Sequence, residues 1–333
     1  MEENIKLKQL LTTFNPKRIG WGAFFIPWVF GVASAQSYPT KPVRLVVPFA
    51  PGGGVDLAAR ILAQQLTERV KQSFIVENRT GASGIIGTEF VAKSTPDGYT
   101  LLVGSQTTQA VVPAMYKTSY DTARDFIGVT EIARSPLLIV VHPSLPIRNV
   151  GDLIKLAKAR PGQLSFGAAS GGTPHMAGEL FKLHAGVDLL FVPYKGEGPA
   201  IVDAMGGQIS MVFSNLPISM PHAKSGRLRA LAVTSLQRVP SAPEFPTAAE
   251  SGLPGFEANT WFGLFAPSAT ARDVIMKLNA DAAAALNVPE AKERMAGQGL
   301  FVVASTPEQF AELIRKEIPR WAKVVKDANI KPQ

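Results

Sequence analysis

The sequence predicts a two-lobed α/β protein whose lobes are doubly wound sheets. Apolar, β-like runs alternate with amphipathic helical stretches over most of the chain. Two strand-to-helix turns, over a hundred residues apart, are rich in glycine: Pro48-Phe49-Ala50-Pro51-Gly52-Gly53-Gly54-Val55-Asp56 and Ser170-Gly171-Gly172-Thr173-Pro174-His175. The 333 residues also exceed what one hydrophobic core usually serves. A strand, a glycine turn and a helix start together present free N–H groups and the positive end of a helix dipole, which is chemistry for holding an anion.

The elements follow in order. Pro42 and Pro48 bracket a strand over Val43 to Val47, and a helix from Asp56 to Val70 carries Leu57, Ile61, Leu62 and Leu66 on one face. Phe74 to Asn78 reads as a strand, Ile85 to about Ser94 as a helix ended by Pro96-Asp97-Gly98, and Tyr99 to Val103 as a third strand. This βαβαβ order predicts a parallel sheet with its ligand edge at the carboxyl ends of the strands. Leu137 to Val141 predicts a buried strand, followed by a helix over Val150 to Ala159. The pattern then restarts with strand Leu164 to Ala168, the second glycine loop and a helix over 176–184. Strand Leu189 to Val192, helix Pro199 to Met205, and strands Ile209 to Phe213 and Leu228 to Val233 complete a second unit. Trp261 to Ala266 reads as a strand returning to the first lobe, and helices over Arg272 to Leu286 and Pro307 to Lys326 close the chain. Crossings near 135–142 and 258–266 imply a hinge.

Hydrophobic content of 46% and charged content of 18% fit a packed globule. The net charge is +8, and the segment 1–35, with four basic and two acidic side chains, accounts for +2 of it. The rest is spread without a basic stripe or reading motif, so no nucleic-acid partner is expected. The chain has no cysteine, which excludes disulfides, Cys-ligated metals, a Cys nucleophile and an acylated lipoprotein anchor. Lys6, Lys8, Lys17 and Arg18 precede the apolar run Trp21 to Val32 and then Ala33-Ser34-Ala35, the pattern of a cleaved secretory signal. That run is too short to span a bilayer, which takes about 20 residues.

The motifs narrow the chemistry. The first loop is neither G-x-G-x-x-G nor a P-loop, so a nucleotide is not expected. Asp56 reads as the cap of the helix it begins, and a ligand carboxylate there requires its side chain to point away or to accept a bridging water. Thr173 reads either as an ordinary N-cap or, with Ser170, as a hydroxyl for a carboxylate. His175 and Glu179 share a helix face at i, i+4, but His184 offers no zinc spacing, so neither a metal nor a cofactor is expected. No G-x-S-x-G elbow or carboxylate pair declares itself. An α/β enzyme acting on a small carboxylate in the same cleft is the alternative to a binding protein. Lys195 either pairs with an anion or is solvated. His142 and His222 read as structural, and Trp261, Phe262 and Phe265 as core.

Further stretches add a resemblance. They include Tyr38-Pro39-Thr40-Lys41-Pro42, Glu77-Asn78-Arg79 with Gly81-Ala82-Ser83-Gly84, Pro96-Asp97-Gly98-Tyr99-Thr100-Leu101-Leu102 and Ala177-Gly178-Glu179-Leu180-Phe181. Val192-Pro193-Tyr194-Lys195-Gly196, Gly226-Arg227-Leu228-Arg229-Ala230-Leu231-Ala232-Val233 and Trp261-Phe262-Gly263-Leu264-Phe265-Ala266-Pro267 continue the series in order. With the first glycine loop they make the chain resemble the solute-binding proteins of the tripartite tricarboxylate transporter family, the Bug proteins. The resemblance implies a type II periplasmic binding protein fold, with lobes over 36–137 with 259–333 and over 138–258, joined by a two-strand hinge. It implies a periplasmic monomer that captures a small organic carboxylate and delivers it to membrane permease subunits. The family's carboxylate site falls on Ala50, Gly52, Gly53, Val55 and Asp56, on Ser170, Gly172, Thr173 and His175, and on Ser105, Thr107 and Thr108. Two departures stand out. Val55 lacks the hydroxyl that relatives commonly carry, and Ser214, also assigned to the site, stands where relatives often have Asp. Loss of that Asp points to a plain carboxylic acid rather than an amino acid.

The signal pattern predicts that protein recovered from its natural host begins at Gln36. N-terminal sequencing checks this, and a chain beginning at Met1 would contradict it.

Overall fold

The structure, a computed structural model, describes residues 38–240 and 242–330, so the signal-peptide reading lies outside the described residues. The first elements are β1 (Val43–Val47), α1 (Gly54–Val70), β2 (Phe74–Asn78), α2 (Ile85–Ala92) and β3 (Thr100–Ser105). One turn of π-helix (Thr107–Val111) and two single turns, α3 (Val112–Met115) and α4 (Thr122–Asp125), lead into β4 (Phe126–Val141). Next come α5 (Val150–Ala159), β5 (Ser165–Ala169), α6 (Thr173–Ala185), β6 (Leu190–Tyr194), α7 (Glu197–Met205), β7 (Met211–Asn215), α8 (Leu216–Lys224) and β8 (Arg229–Val233). β9 (Asn259–Pro267), α9 (Arg272–Leu286), α10 (Pro289–Gly297), β10 (Phe301–Val302) and α11 (Pro307–Asp327) finish the chain.

The strands run in the order β2-β1-β3-β9-β4-β7-β5-β6. β1 pairs in parallel with β2 and β3, as the βαβαβ pattern requires, and β5 pairs in parallel with β6 and β7. β4 belongs to both sheets. Its residues Phe126 to Pro136 pair antiparallel with β9, and Leu137 to Val141 pair with β7 and β8. The sequence reading found only this second half. The first half hides because Glu131 and Arg134 interrupt the apolar run, and the two form an ion pair, Arg134 Nη2 donating to Glu131 Oε2 at 2.9 Å. α6 begins three residues earlier than expected. α8 and α10 lie outside the elements that the sequence predicts; their Pro217 and Pro289 sit in the first turn, where a missing N–H is harmless.

Both faces of the second sheet are covered, which is why Leu137 to Val141 is a continuous apolar run. Leu137, Ile139 and Val141 pack with Phe166, Phe181 and Phe213 on one face, while Leu138 and Val140 pack with Ala204, Val212 and Leu216 on the other. The first sheet has its own core, where Leu45 and Val47 meet Leu62 and Leu66 of α1 and Leu278 of α9. α11 joins the halves along one side: its Trp321, Val324 and Val325 cluster with Met176 of α6 and with Val111 and Met115.

A single hydroxyl ties the crossover strands together. Thr234 Oγ1 accepts the Leu137 N–H at 2.8 Å and donates to the Ala258 carbonyl at 2.8 Å, and the Thr234 N–H reaches the Leu137 carbonyl at 2.9 Å. Thr234 is fully buried, so no water replaces these bonds. Thr234→Val keeps the shape and orphans the Leu137 N–H; it is expected to destabilise the fold by about 1–3 kcal/mol. Urea unfolding measures this, and a change below a few tenths would remove Thr234 from that role.

Candidate ligand-binding cleft

The two glycine loops are built to one plan. In the first, Gly52 adopts φ 88° and Gly53 is the helix N-cap; in the second, Gly171 adopts φ 73° and Gly172 is the N-cap. Only glycine takes the left-handed turn without strain. Neither N-cap glycine has a side chain to spend on the helix, so both helix starts lack a side-chain cap. The first helical bonds run from Leu57 N–H to Gly53 and from Met176 N–H to Gly172. The amides of Gly54, Val55 and Asp56, and of Thr173 and His175, precede those bonds and have no partner within their helices. Pro174 fixes the start of α6 while giving up its own N–H.

The side chain at the third helical position holds each loop. Asp56 Oδ2 accepts the Gly52 N–H at 2.9 Å, and His175 Nδ1 accepts the Gly171 N–H at 3.0 Å. Asp56 is therefore not an N-cap, as the sequence suggested; it reaches back past the cap. Its carboxylate also takes Arg60 Nε at 2.8 Å and Asn78 Nδ2 at 2.8 Å. Burial works to raise the Asp56 pKa, but the bonds from Arg60, Gly52 and Asn78 outweigh it and hold the group below the usual carboxylate range. His175 lies between rings, stacked on Phe191 at 3.8 Å, and burial pushes its pKa down to about 4. The imidazole is neutral at pH 7, with its proton on Nε2.

Both helix starts open on a cavity of about 410 Å³. Of the residues expected there, Ala50, Gly53, Val55, Ser105, Thr107 and Thr173 line it. Thr107 and Thr173 come from opposite sides and bring their hydroxyls to 3.5 Å. The structure does not bring the other expected residues to the wall. Gly52, Asp56, Gly172 and His175 build the loops behind it, as described, and Ser170 adjoins them. Thr108 is fully buried, and its hydroxyl is engaged with the Ser105 backbone. Ser214 is also fully buried. Sequence reasoning missed Asn215, Thr260 and Phe262 as lining residues. Thr260 is 6% exposed, and its hydroxyl has no hydrogen-bond partner. A lone threonine before an apolar strand was the only signal for it. No side chain lining this cavity, among the described residues, carries a charge.

Ser214, which stands where relatives often have Asp, is itself held by a carboxylate, that of Glu197. Glu197 opens α7, and its Oε1 accepts both the Ser214 hydroxyl and the Asn215 N–H, while Oε2 accepts Asn215 Nδ2 at 2.7 Å. Burial raises the Glu197 pKa, and the three donors only partly oppose it. Elsewhere, Lys195 is exposed, His184 Nε2 lies 3.0 Å from the Pro254 carbonyl, and Glu179 pairs with Lys182 at 3.0 Å.

Comparison with known proteins extends this picture. A family profile described as "Tripartite tricarboxylate transporter family receptor" matches residues 58–330. The chain is 40% identical to Protein BugT of Bordetella pertussis over 301 residues, covering 90% of this chain and 92% of BugT. An R. palustris protein solved with adipate is 40% identical, with a TM-score of 0.79 over 89% of this chain and 100% of its own. MatC of Rhodopseudomonas palustris, solved with malate, is 31% identical, with a TM-score of 0.74 over 86% of this chain and 100% of its own.

The buried His175 makes stability depend on pH. Its folded pKa of about 4 lies below the ordinary 6.5, so between these values only the unfolded chain takes up the proton. The contribution is complete above pH 6.5 and is lost as pH falls toward 4, by about 3 kcal/mol. NMR titration of the His175 ring is expected to give a midpoint near 4, and a midpoint near 6.5 would remove the effect.

Proposed function

The chain belongs to the tripartite tricarboxylate transporter receptor family, and on that premise we propose that it is a periplasmic solute-binding protein that captures a small organic carboxylate between its lobes. One observation carries the reading: two uncapped helix starts, from opposite sheets, face one cavity with no charged side chain in its wall. Five unpartnered amides and two positive dipole ends suit a carboxylate, which gains charge-assisted hydrogen bonds from all of them. The hydroxyls of Ser105, Thr107 and Thr173 add donors at the same wall. The ligands of the adipate-bound and malate-bound relatives are acids of this class. The absence of a general base from the lining side chains favours capture over turnover.

The lobes in this proposal are residues 36–137 with 259–333, and 138–258, rotating about Leu137-Leu138 and Ala258-Asn259. Ligand binding at both helix starts would favour the closed arrangement, by as much as its affinity for closed exceeds that for open. The protein would work as a monomer and hand its ligand to membrane permease subunits of the tripartite type. Ala50, Gly52, Gly53, Val55, Asp56, Ser170, Gly172, Thr173 and His175 would act through backbone groups and loop geometry, and Ser105, Thr107 and Thr108 through the floor of the cleft.

Gly53→Val tests the reading. Gly53 has ordinary negative φ, and an added Cβ would meet nothing closer than the Ala50 carbonyl at 3.9 Å, so the fold is expected to survive. The isopropyl group would stand between the ligand and the amides of α1. Charge-assisted bonds contribute about 1.5–3 kcal/mol each, and losing two would cost roughly a hundredfold in affinity or more. Native mass spectrometry of freshly purified protein identifies the retained acid, and calorimetry with that acid measures the loss. Unchanged affinity in a folded variant would move the site elsewhere.

A further inference from the structure

The uncapped helix starts explain how a carboxylate is held, but they do not read the rest of the molecule. Resting on the carboxylate reading above, we infer that Thr260 does: its hydroxyl donates to a second oxygen function of the ligand, so that the cleft selects an oxygen-bearing acid over the plain alkyl acid of the same length. A hydroxyl, an oxo group or a further carboxylate would each supply the accepting oxygen.

Strand alternation places the residue. Positions two apart on β9 share a face, so Thr260 stands on the face of Phe262. Trp261 points the other way and donates its indole N–H to Glu317 Oε2 at 3.1 Å. The Phe262 ring lies against the start of α1, where a Cβ added at Gly54 would meet it at 3.0 Å. Both Phe262 and Thr260 line the cavity. Ser105, the last residue of β3, is opposite Phe262, whereas Thr260 is opposite Ser135 of β4. Thr260 thus lies past the end of β3, roughly 7 Å along β9 from the residue beneath the α1 amides. It meets a part of the ligand remote from the clamped carboxylate.

The hydroxyl is the second observation. Among the described residues, only Thr260 and Thr270 bury a hydroxyl without a hydrogen-bond partner, and of the two only Thr260 lines the cavity. The buried Thr234, by contrast, draws its partners from the fold itself. An unmet buried hydroxyl is costly, and at a cavity wall a ligand atom can meet it. Thr260 is 6% exposed, with its hydroxyl covered. Rotation about Cα–Cβ exchanges that hydroxyl with the methyl group, so an accepting oxygen in the cavity can draw it to the wall. An alkyl chain in the same place leaves it unmet. A site whose polar group only one of two ligands can satisfy discriminates against the other.

Two substitutions separate the hydroxyl from its shape. Thr260→Val keeps the branched side chain, which suits a strand, and removes only the donor. Thr260→Ser keeps the donor and removes the methyl.

Calorimetry on the purified protein tests this with acids matched in length: butanoate, 4-hydroxybutanoate and succinate; pentanoate, 4-oxopentanoate and glutarate; hexanoate, 6-hydroxyhexanoate and adipate. The wild type is expected to bind at least one oxygen-bearing acid about tenfold or more tightly than the alkyl acid of its length. Thr260→Val is expected to shrink that gap by about tenfold, chiefly by weakening the oxygen-bearing acid, and Thr260→Ser to keep it. Thr260→Ala, which also lacks the donor, takes the place of the Val variant if that one fails to fold. A wild type that binds all three acids of each length alike, as it would if a water met Thr260 instead, overturns the inference. So does a gap that survives loss of the hydroxyl, and both results leave the carboxylate reading standing. Binding of none of the nine acids overturns both.

Discussion

The cleft depends on leaving two helix starts uncapped while keeping them rigid. These demands conflict, because the usual way to order a helix start is a Ser, Thr, Asp or Asn cap that consumes its free amides. The chain separates the two tasks. Glycine at the cap position leaves the amides unspent, and a side chain three residues on ties down the loop instead, by accepting the amide of the left-handed glycine. Asp56 and His175 do the same work with different chemistry. The aspartate brings a charge that would repel an anion, so Arg60 offsets it. The histidine needs no such partner, because burial keeps it neutral.

The two helix starts reach one cavity only because the sheets that carry them share a strand. β4 leaves the first sheet at Pro136 and enters the second at Leu137, and β9 returns at Asn259. Thr234 fastens these crossings with one hydroxyl. On the flank, α11 packs on both halves, with Trp321 against Met176. Its carboxylate Glu317 accepts the indole N–H of Trp261 at 3.1 Å and of Trp321 at 2.7 Å.

Much of this was legible in the sequence where local rules decide. The strands over Val43 to Val47 and Phe74 to Asn78 and the helices over Val150 to Ala159 and Arg272 to Leu286 match the structure to the residue. So do the two glycine turns, because turn chemistry and apolar period are written in adjacent residues. Legibility ended where distant groups decide. The first half of β4 is hidden by Glu131 and Arg134, which are charged alone and tolerable only as a pair. Asp56 and Thr173 look like caps because their residue types favour capping, whereas the glycines before them had already taken that position. Ser214 looked like a missing charge because nothing in the local sequence says that Glu197, seventeen residues earlier, reaches it.

A cleft walled by dipoles and hydroxyls, with the charges set one layer back, suits a protein that must release what it holds. A buried Arg facing a carboxylate would add an ion pair with a large desolvation cost, and breaking it leaves an uncompensated charge. Backbone amides give charge-assisted bonds from donors that the fold has already oriented, so little is spent on arranging them. In the proposed opening of the lobes, water replaces the ligand at each amide, and no charged side chain is left stranded. The charges behind the wall then act as bias instead of as anchors. Arg60 cancels Asp56 where an anion is to sit.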